Sequence, residues 1–110
     1  MIQPNNGAIA KLNDHARQTF TGCRVLITKG ISELDRLVIQ QIVRAVQAFD
    51  EFTADNDPYQ EHDFGRVAVA EHSVFWKVDY YDLDLQMASP DPADTTVTAR
   101  VLTIMLAEEY

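Results

Sequence analysis

The sequence lacks the features that commonly cross-link or anchor a small protein. It has one cysteine, Cys23, which cannot form a disulfide within the chain, and a lone thiol fits a reducing compartment. Its apolar runs are too short to span a bilayer, and its first residues do not show the basic and then apolar pattern of a signal peptide. We therefore expect a cytoplasmic protein without a membrane segment.

Several familiar chemical motifs are also missing. With only four glycines, the chain has no glycine-rich phosphate loop, and no serine lies in a nucleophile-elbow context. No His-x-x-x-His pair and no pair of cysteines indicates a zinc site. No basic patch alternates with aromatic residues, as it does in single-strand nucleic-acid binders. These absences argue against most enzymes of known type, and no catalytic residue can be assigned.

Basic residues are scarce where acidic residues are concentrated. The formal net charge is −8, but residues 50–94 carry twelve acidic and two basic side chains, whereas residues 1–49 carry a net charge of +3. Such a surface repels phosphate backbones, so we expect no direct binding to nucleic acid. It attracts a basic protein surface and can imitate nucleic acid toward a nucleic-acid-binding protein. The alternative is a solvated face that only keeps the protein soluble.

What the sequence does contain is typical of one globular domain, residues 1–110, with one modest core. We predict an α+β fold with the order α-β-α-β-β-α, its helices packed on one face of a small, mainly antiparallel sheet. Residues 1–6 are expected to form an irregular lead-in. The predicted elements are a helix at 7–20, a buried strand at 23–28, a helix at 32–52, a hairpin at 66–70 and 74–81, and a C-terminal helix that begins within 91–95 and ends at 110.

Apolar spacing supports these assignments. Ser32 has the residue type of a helix N-cap, and the apolar residues from Leu34 to Phe52 recur at three and four positions. Lys29-Gly30 just before it is expected to be a turn. In the second hairpin strand, large residues alternate on both faces, which indicates a central strand.

Polar residues that could form a site are concentrated in the acidic stretch 50–65 and the hairpin that follows. Asp and Asn side chains bond their own backbone in turns, so these residues could form a structural network that includes His62. They could also bind a partner, or hold a hard divalent cation through Asp57, Glu61, His62 and Asp63. For Lys77 and Asp79, an internal salt bridge is the favoured interpretation. The full set is Asp55, Asn56, Asp57, Glu61, His62, Asp63, Lys77, Asp79, Tyr81 and Asp82.

Several of these residues belong to motifs that resemble one protein family. The motifs are Asn56-Asp57-Pro58, Glu61-His62-Asp63-Phe64-Gly65, and the segments 75–82, 89–94 and 100–110, with further similarity at Leu12-Asn13-Asp14 and at 45–50. Together they resemble the domain-of-unknown-function family 3768. The resemblance implies a small bacterial protein of a family with some members on plasmids and other mobile elements. It implies no reaction, cofactor or catalytic residue.

We therefore expect an interaction protein rather than an enzyme. Its acidic half would bind a basic or nucleic-acid-binding protein, for example as an inhibitor of a host defence system, and it would need no cofactor. The alternative is a metal-dependent hydrolase or nuclease that uses the loop from Asp55 to Asp63. The polar groups of the acidic loop, Asp57 and His62 among them, could also fold back onto the start or end of the hairpin strands, where Asp79 lies. His62 would then lie near a carboxylate.

Overall fold

A mixed four-stranded sheet with helices on one face makes up the fold. The computed structural model describes residues 5–110, so residues 1–4 of the expected lead-in lie outside the described residues. The strand order is β1-β4-β3-β2, with β1 parallel to β4 and the other neighbours antiparallel. The elements are α1 (Asn6–Thr19), β1 (Arg24–Ile27), α2 (Lys29–Ser32), α3 (Arg36–Gln47), β2 (Phe64–Val69), β3 (His72–Tyr81), β4 (Ala99–Leu106) and a 3₁₀ turn (Ala107–Glu109).

The core lies between the helices and the first face of the sheet. Ile42 and Val46 of α3 pack with Trp76 of β3 and with Leu102 and Ile104 of β4, and all five side chains are buried. The α+β class and the packing of helices on one face are thus confirmed. The second face carries its own aromatic cluster, Phe64, Phe75 and Tyr110, with ring centroids 5.1–5.8 Å apart. No helix of residues 5–110 is long and apolar enough to cross a membrane.

The prediction of a C-terminal helix is wrong. Residues 99–106 form β4, which lies between β1 and β3 and has buried residues on both faces, including Val101 and Met105. A strand that is covered on both sides reads as a continuous apolar run, and a short run of this kind does not distinguish strand from helix. Asp91 therefore starts a turn instead of a helix, with its carboxylate accepting from the Ala93 amide at 3.1 Å.

The strand at β1 is shorter and more exposed than predicted. Leu26 and Ile27 are 52% and 44% exposed, because β1 pairs only with β4 and forms an edge of the sheet. Lys29 and Gly30, predicted as a turn, begin the short helix α2. Apolar composition predicted the strand, but burial depends on which neighbours the fold supplies.

The second long helix is also shorter than its apolar pattern. It begins at Arg36, and its N-cap is Asp35, whose carboxylate accepts from the Leu37 amide at 2.8 Å, so Ser32 is not the cap. It ends at Gln47, although Phe49 and Phe52 continue the apolar spacing. Those two rings still pack in the core, edge-on to each other with centroids 5.0 Å apart. The periodicity therefore marked most of the core side chains correctly, with Leu37 as an exposed exception, and the helix length incorrectly.

The hairpin forms as predicted, with slightly longer strands. β3 lies between β2 and β4 and is central, and Val67 pairs with Val74. Residues 82–98 form a connection to β4, which includes an isolated pairing of Tyr81 with Ala88.

Candidate functional site

Two acidic connections adjoin the same end of the sheet. The acidic loop, residues 50–63, leads into the start of β2, and its last residue accepts from the Val78 amide through the Asp63 main-chain oxygen at 2.8 Å. The connection 82–98 leaves the end of β3 and enters the start of β4, where Tyr81 pairs with Ala99. Together the two segments contain ten Asp and Glu residues and no Lys or Arg. We call them the acidic end.

His62 joins the acidic loop to α1. Its Nδ1 lies 2.9 Å from Asp14 Oδ1, and its Nε2 lies 3.7 Å from Asp57 Oδ2. Asp14 also accepts from the buried guanidinium of Arg17 at 3.1 Å. The ring of His62 stacks on Phe52, with centroids 3.8 Å apart and planes within 1°. The imidazole is therefore held on both its edge and its face.

The loop backbone supports this arrangement. The buried carboxylate of Asp57 accepts from the amides of Glu61 and His62, each at 3.1 Å. Gln60 and His62 both have φ of 56°, in the left-handed region that side chains other than glycine seldom adopt. Such conformations persist where surrounding contacts fix them. Asp57 thus acts as a turn-forming residue, in agreement with the structural interpretation of the Asn-Asp-Pro motif.

A second polar network lies beside the first. The Asn13 amide donates to the Glu61 main-chain oxygen at 2.9 Å and to the Tyr80 hydroxyl at 2.7 Å, and its oxygen accepts from Arg100 Nε at 2.8 Å. The Tyr80 hydroxyl donates to the Glu61 carboxylate at 2.9 Å. Burial raises the pKa of Tyr80 and lowers the pKa of Arg100. Both groups therefore serve as fixed hydrogen-bonding partners around a buried asparagine.

A cavity of about 550 Å³ lies next to the His62 network, with Lys11, Asp14, Asp57 and His62 on its walls. Among residues 5–110, no group of three or more His, Cys, Asp or Glu side chains converges so that it could hold a metal ion. The predicted metal ligands are directed elsewhere, because Glu61 bonds Tyr80 and His62 bonds Asp14.

Asp79 lies apart from His62. It pairs with Lys77 at 2.8 Å on the second face of the sheet, which confirms the expected salt bridge, and this hydrogen bond raises the pKa of Lys77. The acidic loop does fold back on the hairpin and His62 does lie near a carboxylate, but its hydrogen-bonded carboxylate belongs to Asp14 of α1 and not to Asp79. Asp63 lies between the two regions, and burial raises the pKa of its carboxyl, as does the nearby charge of Glu61.

The remaining predicted residues shape loops. Asn56 accepts from the Thr53 amide at 2.8 Å and donates to the Glu51 main-chain oxygen at 2.9 Å, so it closes a turn in the acidic loop. Asp55 is exposed at the tip of that turn, and Tyr81 is half-buried at the end of β3. Asp82 organises the start of the 82–98 connection.

Five residues of these networks were missing from the predicted set: Asn13, Asp14, Arg17, Tyr80 and Arg100. Asn13 and Arg17 are fully buried, although α1 is an amphipathic helix whose polar residues would be expected in water. The signal that could have found Asn13 and Asp14 is their place in the motif Leu12-Asn13-Asp14. Nothing in the spacing of Arg17 or Arg100 indicates a buried guanidinium.

Fold and site together define an acidic α+β protein in which most polar site residues hold an acidic loop against a helix. The family described as Protein of unknown function (DUF3768) matches residues 27–109, and the chain belongs to this family. The similarity noted at Leu12-Asn13-Asp14 lies outside the matched residues. No curated protein and no solved structure matches the chain.

Proposed function

We propose that this protein is a non-enzymatic interaction protein whose acidic end binds a basic or nucleic-acid-binding protein. One observation carries the proposal: two connections, separated by the whole hairpin in sequence, adjoin the same end of the sheet and together carry ten carboxylates without a Lys or Arg within either segment. Asp50 and Glu51 begin the first connection beside Arg66 of β2, and the other eight follow toward the end of the sheet. A concentrated field of one sign steers oppositely charged surfaces and repels wrong partners.

The internal contacts of the loop favour binding over turnover. Asp57 and His62 are both engaged within the protein, while Asp50, Glu51 and Asp55 are exposed. A rigid loop that shows carboxylates to solvent can occupy the nucleic-acid site of a partner and inhibit it. The family resemblance, with its members on mobile elements, motivates a host defence protein as that partner.

A pull-down with two matched triple variants tests the proposal. One removes charge from the acidic end, the other removes the same charge from exposed positions at the opposite end of the sheet or on the helical layer. The variants are Asp50→Asn with Glu51→Gln and Asp55→Asn, and Glu33→Gln with Glu71→Gln and Glu108→Gln.

We expect the wild type and the second variant to retain the same basic protein from bacterial lysate at low and moderate salt, and the first variant to lose it. Equal loss of the basic protein by both variants would show that net charge alone is responsible. Full retention by the first variant, or recovery of no basic protein by the wild type at either salt, would overturn the proposal.

A metal-dependent hydrolase or nuclease is the second candidate, favoured by the cavity that Asp14, Asp57 and His62 line. Calorimetric titration with Mg²⁺, Mn²⁺, Ca²⁺ and Zn²⁺ separates the two functions. Saturable binding that disappears in Asp57→Ala and in His62→Ala favours the enzyme. Heat changes that are the same in the wild type and in both variants favour the interaction protein over the enzyme.

A further inference from the structure

Residues 82–87 form an ordered loop within the acidic end, and we call it the apolar loop. The Asp82 amide donates to the Met87 main-chain oxygen at 2.8 Å, and the Asp82 carboxylate accepts from the amides of Gln86 and Met87 at 3.0 and 3.4 Å. The Leu85 amide closes the turn on the Asp82 main-chain oxygen at 3.0 Å. The pairing of Tyr81 with Ala88 fixes its base.

This ordered loop presents large apolar side chains to solvent. Leu83, Leu85 and Met87 are 62%, 37% and 71% exposed. A single exposed leucine is ordinary, but three large apolar side chains within five residues of a hydrogen-bonded loop form a patch of the kind that marks interaction sites. Leu85 also has φ of 60°, a conformation that the surrounding hydrogen bonds must maintain.

Charge decides what kind of partner this patch fits. Asp84 is exposed between Leu83 and Leu85, and the whole apolar loop belongs to the acidic end. A second copy of this chain would bring two such ends together at a net charge of −8 each, and like charges oppose that contact. A complementary surface has an apolar cleft with Lys or Arg residues around it.

We propose that the apolar loop inserts Leu83 and Met87 into an apolar cleft surrounded by basic residues on the partner protein. This inference rests on the proposed function, because it names the part of the acidic end that gives affinity beyond charge. The fully buried core of an interface is more apolar than its polar rim, and a few side chains near the centre carry most of the binding energy. A loop that Asp82 already holds in one shape loses little conformational freedom on binding.

Two short peptides serve as probes, one of alternating lysine and leucine and one of alternating lysine and serine. Affinities are measured by calorimetry for the wild type, for Leu83→Ser with Met87→Ser, and for Leu37→Ser. Leu37 is 67% exposed on α3 and is the matched control for a lost surface leucine. Asp82→Ala keeps the apolar side chains and removes the two carboxylate bonds, to the Gln86 and Met87 amides, that help to order the loop.

We expect the wild type and Leu37→Ser to bind the lysine–leucine peptide at least about tenfold more tightly than the lysine–serine peptide. The double variant should lose this difference, and Asp82→Ala should reduce it. Equal affinity of the wild type for both peptides overturns the inference and leaves the proposed function standing, whereas failure of both peptides to bind overturns both.

Sedimentation of the wild type and the double variant tests whether a second copy of the chain covers the apolar loop. A monomer in both supports a foreign partner. A wild-type dimer that the double variant converts to a monomer shows that a second copy covers the loop, and this result also overturns the inference.

Discussion

At the scale of single residues, the polar side chains of this protein mainly connect segments. Asp14 on α1 bonds both Arg17 and His62, and therefore ties the helix to the acidic loop. The Arg17 guanidinium also lies 5.1 Å from the Trp76 ring centre and donates to the Phe49 main-chain oxygen at 2.9 Å. A buried charge is tolerated when it is paired and hydrogen-bonded in this way.

Replacement of His62 by alanine should destabilise the protein. The change removes the bond to Asp14 and the stack on Phe52, and it leaves a partly buried carboxylate with one partner fewer. We expect a loss on the order of 1–3 kcal/mol in the free energy of unfolding, measured by urea denaturation. His15→Ala on the exposed side of α1 is the control and should change it by less than about 0.5 kcal/mol. Equal stability of wild type and His62→Ala would rule out a structural role for His62.

Gly65 is required by close packing rather than by its backbone angles. A Cβ atom at this position would lie 2.5 Å from Trp76 Nε1, and the Trp76 ring is fully buried. Gly65→Ala should therefore cost on the order of 1–3 kcal/mol by overpacking.

Gly7 provides the matched control for Gly65. A Cβ atom there meets nothing within 4 Å, and Gly7 lies in α1, so Gly7→Ala should leave stability unchanged or raise it by up to about 1 kcal/mol. Thermal melting of both variants measures the contrast. A Gly65→Ala protein that melts with the wild type would contradict the packing argument.

At the scale of elements, the sequence predicted correctly the features that depend on local residue patterns. The alternation in β3 and the acidic loop before β2 were recognised, because period and composition are local properties. The identity of β4 was not, since Val101, Leu102, Ile104 and Met105 are apolar on both faces and only the neighbouring strands decide their conformation. The pairing of His62 with Asp14 joins residues 48 positions apart, and no spacing rule predicts such a contact.

The C-terminal turn is tied to the start of α2 by one carboxylate. Glu109 accepts from the Thr28 hydroxyl at 2.5 Å, from the Gly30 amide at 3.0 Å and from the Leu106 amide at 2.9 Å. These hydrogen bonds, led by the one from Thr28, lower the pKa of Glu109. The folded state thus favours the ionised form, so its stabilising effect is complete above the ordinary glutamate value and is lost as pH falls through the lowered folded value.

Glu109→Gln should therefore lower the melting temperature at neutral pH, and its difference from the wild type should shrink as the solution is acidified. Glu108→Gln is the neighbouring control, because Glu108 is exposed and shares none of these contacts. Melting curves over the acidic range measure both. A difference that stays constant down to low pH would show that the charge of Glu109 does not stabilise the turn.

At the scale of the whole molecule, repulsion between acidic side chains lowers the stability of the fold. The topology brings the most acidic segments of the chain to one end of the sheet, although like charges repel one another there. Two like charges about 10 Å apart in water repel by about 0.4 kcal/mol. The burial of the core between the helices and the first face of the sheet must offset the sum of these repulsions. An acidic end that costs stability is expected where its charge serves binding.

This repulsion predicts how the free energy of unfolding depends on salt. Neutralisation of Asp50, Glu51 and Asp55 should raise the free energy of unfolding at low ionic strength by on the order of 1 kcal/mol, because the three belong to a segment, residues 50–63, that carries six acidic and no Lys or Arg side chains. Neutralisation of Glu33, Glu71 and Glu108 changes the net charge equally but should have a smaller effect, because these residues lie outside the acidic end. Urea denaturation at low and high salt measures both. At high salt the Debye length falls from about 10 Å to about 3 Å, so the advantage of the first variant should disappear. If that advantage persists at high salt, its origin lies in local contacts of the acidic loop, and the crowding of charge at one end of the sheet carries no cost in stability.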